Sequence, residues 1–207
     1  MDNPDLAAAL ASRICHDLVS PVGAVVNGVD LLRETGPADL ADTVGMIAQS
    51  AGRASALLQF YRVAFGAAEG EGKPIGRPSL GELVSVLAQP PRITIDWEEA
   101  GPAFTRPEAK LIALLLLAAR SALGLRGAIH VRPASDATFP LTISLESAAF
   151  SKMEPLLGNL AAGSASAPIS PRSVEFILAR NAAEKLGVEL EIAKAEGVVT
   201  ISAMAAD

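Results

Sequence analysis

Cysteine is nearly absent: Cys15 stands alone in 207 residues, so no disulfide can form within the chain. Histidine is almost as scarce. His16 and His130 lie far apart in sequence, and with one thiol they make no metal-ligand pattern. The serines around 164–173 have no histidine at motif spacing, which leaves a hydrolase triad without support. Positive charge is in deficit, with a formal net charge of −6, so the overall balance does not call for nucleic acid. No apolar run reaches the roughly 20 residues that span a bilayer. The longest extends from Leu111 to Ala119, between Lys110 and Arg120. The opening Met1-Asp2-Asn3-Pro4-Asp5 has no basic segment leading into an apolar core, so a signal peptide is not expected. No Gly-x-x-x-x-Gly-Lys-Ser/Thr phosphate loop occurs. These absences set the expectation of a soluble, cytoplasmic protein that binds neither nucleic acid nor membrane.

Half of the residues are hydrophobic, with much alanine, which favours helix. The length suits one large or two small domains. Asn3 or Asp5 can cap a first helix that runs to about Glu34, and Gly36-Pro37 marks a turn. A second helix is expected from about Ala38 to Ala67. There Leu40, Val44, Ile47, Ala51, Ala54, Leu58, Tyr61 and Phe65 recur three and four residues apart, as in helical bundles. The two helices make an antiparallel hairpin. Val22, Val26, Leu31 and Leu57 widen its apolar arc beyond one stripe, and this predicts pairing with a second copy as a four-helix bundle. Packing of that surface on the chain's own C-terminal half is the competing possibility.

Within the first helix, Arg13-Ile14-Cys15-His16-Asp17-Leu18-Val19-Ser20-Pro21 is the most informative stretch. At roughly 100° per residue, Ala9, Ser12, Arg13, Ser20, Gly23 and Asn27 fall within about 60° of His16. Leu10, Ile14, Leu18, Val25, Val29 and Leu32 fall on the opposite, core-facing side. A lone helical histidine is ordinarily just a solvated residue. Here its stripe is small and polar, so access is open, and Asp17 can orient the ring or take its proton. Pro21 interrupts the backbone bonding one turn later, where a proline costs about 3 kcal/mol. Cys15 flanks the core stripe and reads as a buried, inert thiol.

His16-Asp17-Leu18-Val19-Ser20-Pro21 resembles the phosphoacceptor box of sensor histidine kinases. With Ser12-Arg13-Ile14-Cys15-His16-Asp17 and Leu57-Leu58-Gln59-Phe60-Tyr61-Arg62-Val63-Ala64-Phe65-Gly66, the resemblance narrows to the ChpT-type histidine phosphotransferases of bacterial phosphorelays. It is specific over about residues 6–66 and rests on element order beyond them. Residues 1–68 are then expected to be a dimerisation and histidine phosphotransfer domain, and 69–78, rich in Gly, Glu and Pro, a linker. Residues 79–207 are expected to be a degenerate histidine-kinase ATPase-like domain, giving an α+β chain.

The second half reads as a helix (Leu80–Ala88), a strand (Ile93–Trp97), a buried helix (Pro107–Leu123), and strands Ala128–Arg132 and Leu141–Glu146. A short helix (Lys152–Ala161), a helix (Pro171–Leu186) and a hairpin (Val188–Ala193 with Val198–Ala203) follow. Period-two alternation in the strands predicts a mixed sheet covered by helices on one face. His130 alternates outward with Ala128 and Arg132 and reads as solvated. The kinases hold Mg-ATP with an Asn in the buried helix, and by pattern Leu117 takes that position. A leucine offers no oxygen to a hard cation. The kinase Asp-x-Gly-x-Gly segment is missing, and Gly158-Asn159-Leu160-Ala161-Ala162-Gly163 is only a weak match to their lid.

The resemblance implies a phosphotransferase that shuttles a phosphoryl group through His16 between receiver aspartates of a hybrid kinase and of response regulators. It implies no cofactor in this chain, with Mg²⁺ on the partner receiver. Asp17 would fix the ring tautomer or accept its proton. Arg13 and Ser20 would meet the phosphoryl group, and Ser12, Gly23 and Asn27 would lie under the docked receiver. Two other readings stay open: a diverged kinase that still uses ATP, and a non-catalytic docking scaffold.

Overall fold

The computed structural model describes residues 4–34, 36, 39–66, 73–134, 141–161 and 168–205. Helix α1 spans Pro4–Leu32 and α2 Leu40–Ala64. They run antiparallel as a hairpin. Both are shorter than expected, and Ala38 and Ala67, the expected ends of α2, lie outside the described residues. Helix α1 continues through Pro21, whose ring is buried. At Gly28 the helices close up: an added Cβ would stand 2.5 Å from Ile47 Cγ1. By length and composition α1 is apolar enough to cross a membrane, although polar residues interrupt it and leave no unbroken apolar run of that length. In the fold one side of it packs along α2.

The remainder is a five-stranded sheet with helices on one face. Strands β1 (Ile93–Trp97), β2 (Gly127–Pro133), β3 (Leu141–Glu146), β4 (Val188–Ala195) and β5 (Val198–Ala205) lie in the order β1-β2-β3-β5-β4. Only β1 and β2 are parallel; the helix α4 (Arg106–Ala122) supplies the crossover between them. Helix α5 (Val174–Leu186) lies beside α4. Ile129, Val131, Leu141, Ile143, Leu145, Val199 and Ile201 alternate inward to meet these helices, as period two requires. Thr105 caps α4 in a reciprocal capping box with Glu108.

Four boundaries shift for physical reasons. The expected linker is integrated from its C-terminal end: Ile75 bridges Phe104, and α3 begins at Arg77, itself buried, and runs to Val84. Residues 85–87 close that segment as a 3₁₀ turn. The short helix at 152–161 is a 3₁₀ segment, Glu154–Leu160, with Pro155 at its start. Helix α5 starts at Val174, three residues past Pro171. Of the expected lid match, Gly158, Asn159 and Leu160 lie in this 3₁₀ segment and Ala161 follows it, while residues 162 and 163 lie outside the described residues.

The burial phase of α2 also differs from the bundle pattern. Leu57, Phe60, Tyr61 and Ala64 are buried, whereas Leu40, Val44 and Leu58 are exposed. The reason is that α2 packs not only on α1 but also on α4, α3 and the 3₁₀ turn after α3, so its core arc turns toward the sheet domain. Lys110 at the start of α4 donates to the Gly66 carbonyl at 2.7 Å and ties down the end of α2. Cys15 is exposed rather than buried, and Ala9 is buried rather than displayed. Helix α1 contacts α5 as well as α2, so the face it covers differs from the one a hairpin alone would bury.

The close approach at Gly28 generates a stability test. Gly28→Val should destabilise the chain by about 1–3 kcal/mol through overpacking. Gly23→Ala should stabilise it by roughly 0.5–1 kcal/mol, since nothing lies within 4 Å of its added Cβ. Chemical denaturation of the two variants beside wild type reads both signs.

Candidate functional site

His16 projects from the middle of α1 and is 84% exposed. Its Nδ1 lies 3.0 Å from Asp17 Oδ1. Asp17 Oδ2 accepts from Arg13 Nε at 2.9 Å and from the Tyr61 hydroxyl of α2. Arg13 then reaches across to α5, donating from Nη1 to Glu175 Oε1 at 3.2 Å. Glu175 is 0% exposed, and the same oxygen accepts from Ser121 Oγ of α4 at 2.5 Å. Its Oε2 is buried without a hydrogen-bond partner. Four helices therefore meet in one chain of polar contacts that ends on the imidazole.

The charges in this chain are set by one another. Burial alone would raise the Asp17 carboxyl, but the bonds from Tyr61, His16 and Arg13 overcome it and hold the group below its ordinary value. Ionised Asp17 can only accept, so the ring nitrogen facing it carries the hydrogen and Nε2 keeps the lone pair. Burial, and then the bond to Asp17, push the Tyr61 hydroxyl up, so it stays a donor. Burial opposes the Arg13 charge, but Glu175 and Asp17 outweigh it and raise the guanidinium. Glu175 is raised by burial, against the pull of Arg13 and Ser121. The arrangement orients the exposed ring, with the hydrogen on the nitrogen that faces Asp17.

Beside the ring a cleft of about 630 Å³ opens between the hairpin and the sheet domain. Of the residues expected at the site, it gathers Arg13, His16, Asp17 and Ser20, but not Ser12, Gly23 or Asn27. Ser12 and Asn27 are exposed on α1, and Gly23 is half-buried with open space at its Cβ. Arg13 was expected to offset phosphate charge; two carboxylates already engage it. Leu117, 1% exposed, forms part of the cleft wall. Among the described residues no three His, Cys, Asp or Glu side chains cluster as a metal site. His130 is not simply solvated: its Nδ1 is 3.3 Å from Asp96 and its Nε2 3.6 Å from Glu146, in a surface charge ladder on the outer face of the sheet.

Sequence reasoning missed Tyr61 and Glu175. Tyr61 was assigned to the apolar stripe, and its hydroxyl partner is 44 residues away in sequence. Glu175 sits in an amphipathic helix where a carboxylate looks solvent-facing; only an apolar neighbourhood around it hinted at burial.

Residues 79–198 match the family described as the histidine phosphotransferase C-terminal domain. The chain is 34% identical to Protein phosphotransferase ChpT of Brucella abortus (strain 2308) over 197 residues, 94% of this chain and 93% of that protein. A solved structure of a bacterial phosphotransferase, determined at 1.7 Å, superposes with a TM-score of 0.78 at 30% identity, covering 98% of this chain and 97% of that one. The chain belongs to the family of ChpT-type histidine phosphotransferases, and its activity is phosphotransfer.

The two carboxyl groups predict opposite pH behaviour. Asp17 is held below its ordinary 3.8, so its contribution to stability is complete above that pH and is lost as pH falls through the lowered value. Glu175 is raised above its ordinary 4.5, so its ionised form works against the fold at neutral pH, and that penalty vanishes on protonation. Glu175→Gln should melt at or above the wild-type temperature at neutral pH, with the gap closing in acid. Asp17→Asn should melt lower at neutral pH and converge with wild type in acid. Thermal melts across that range check both directions; a much lower melting temperature for Glu175→Gln at neutral pH would contradict the assignment.

Proposed function

We propose that His16 is the phosphoacceptor of a phosphorelay and that Asp17 positions its ring. The observation that carries this is the exposed imidazole whose Nδ1 faces an ionised Asp17, which leaves Nε2 free to attack. The Nε2 lone pair forms the N–P bond while the P–O bond to a receiver aspartate breaks, and the carboxylate leaves with that electron pair. The ring keeps its Nδ1 hydrogen, and Asp17 offsets the positive charge that develops. Reversal of these steps onto a second receiver completes the shuttle. Donor and acceptor are read as receiver domains of a hybrid histidine kinase and of response regulators, in keeping with the family. Mg²⁺ held by the receiver offsets charge on the phosphoryl group during transfer; this chain supplies the positioned ring. ATP-dependent autophosphorylation is not assigned, because Leu117 offers no oxygen where the kinases hold Mg-ATP. A cytoplasmic location fits these partners.

Homodimerisation through the hairpin is part of the same reading. Val19, Val22, Val26, Val29 and Leu31 of α1 are exposed, with Leu40, Val44, Met46 and Leu58 of α2. So large an apolar band on a soluble chain marks an interface. A second copy forming a four-helix bundle covers it. Val26→Glu should shift the mass measured by light scattering toward the monomer.

Incubation with a phosphorylated receiver should place acid-labile label on wild type and none on His16→Ala. Label persisting in His16→Ala, or mapping to His130, would overturn the reading. Gly23→Leu fills open space on the face that carries His16 without a clash. It should keep the helical spectrum yet slow transfer about 100-fold, as a misplacement near 1 Å can. Bulk at Ala9 tests packing instead, since Ala9 is buried.

A further inference from the structure

We propose that Arg53 and Arg120 form an anion subsite in the cleft beside His16, and that its occupant is the phosphoryl group carried by that histidine. The proposal rests on the reading of His16 as phosphoacceptor. Arg53 comes from α2, where Gln49, Arg53, Leu57 and Tyr61 follow one another at four-residue spacing and all face the cleft. Arg120 comes from the last turn of α4, one turn beyond Leu117. The wall between them is partly apolar, with Leu57, Val86, Leu87 and Leu117.

Three arginines line this cleft, and they are not equivalent. Arg13 is neutralised by Asp17 and Glu175. Among the described residues, neither Arg53 nor Arg120 has a carboxylate within ion-pair distance; Arg120 has one hydrogen bond, to the Gln89 amide oxygen at 3.1 Å. Arg120 is half-buried, and burial together with repulsion from Arg13 and Arg53 opposes its charge more than the attraction of Asp17 favours it. Like charges gathered against an apolar wall without a direct ion pair of their own work against the fold. A dianionic phosphoryl group relieves that arrangement. It takes charge-assisted bonds from both guanidinium forks, and the apolar wall strengthens the attraction by lowering the local dielectric. Neutralisation once expected from Arg13 thus falls to the two arginines that no carboxylate already claims.

The test uses the full chain and inorganic phosphate as probe, with the arginine Nε–H resonances as readout. Phosphate should shift the Arg53 and Arg120 signals saturably in wild type and equally in His16→Ala. Arg53→Gln and Arg120→Gln should each weaken phosphate binding and slow label uptake from a phosphorylated receiver by about 10-fold, the scale of a lost charge-assisted bond. Both should melt at or above the wild-type temperature, because each removes a repulsive charge. Lysine at either position should restore part of the uptake. Unchanged phosphate binding in both glutamine variants overturns the subsite, as does a loss of uptake that tracks a lowered melting temperature. Saturable ATP binding that both variants abolish assigns the cleft to a nucleotide and overturns the phosphohistidine assignment. Absence of label from wild type removes the phosphoacceptor reading, while the titration in His16→Ala still decides whether the two arginines hold an anion.

Discussion

The Asp17 carboxylate is the constraint on which the rest of the site depends. It is partly buried, and an ionised carboxylate in that setting needs several donors to compensate for lost water. It finds them in three places: the neighbouring ring, Arg13 one turn earlier on α1, and the Tyr61 hydroxyl of α2. These partners fix the rotation of α1 against α2 more narrowly than the apolar seam between them can, because side-chain packing tolerates sliding that hydrogen-bond geometry does not. The hairpin is therefore locked at the level of the histidine, while an apolar band elsewhere on it stays exposed.

The sheet domain gains its connection to the site through Arg13. A buried carboxylate such as Glu175 is expensive, and isosteric apolar replacements of buried ion pairs are often neutral or stabilising. Its presence between α4 and α5 makes sense as an anchor for the guanidinium that in turn holds Asp17. Helix α4 contributes again through Ser121, Arg120 and Leu117 along the cleft. The helices of the sheet domain thus stand beside His16, where they shape electrostatics and the wall of a cleft.

This division also explains why the hairpin has two unlike faces. One is polar and pitted by the cleft, with small residues beside His16. The other carries Val19, Val22, Val26 and Val44 into solvent. Gly28 lies at the seam with α2, where the missing Cβ lets the helices approach, and Pro21 is buried beside the cleft.

Much was legible from local pattern. The histidine box, the two long helices, β1 and β3 to the residue, and the one-sided sheet follow from periodicity, which is a property of consecutive residues. The belonging of the N-terminal stretch to the phosphotransferases was legible because His16, Asp17 and Pro21 are neighbours. What only the tertiary structure decided involves partners distant in sequence. Which arc of α2 is buried depended on α4, so Phe60 and Leu57 replaced Leu58 in the core. Ala9 and Cys15 exchanged their expected environments on α1, which meets α5 as well as α2. Tyr61 and Glu175 became members of the site through hydrogen bonds that span 44 and 162 residues. Local sequence sets which faces a helix has; long-range packing sets which of them meets water, and only then is a charged or hydroxyl side chain given its task.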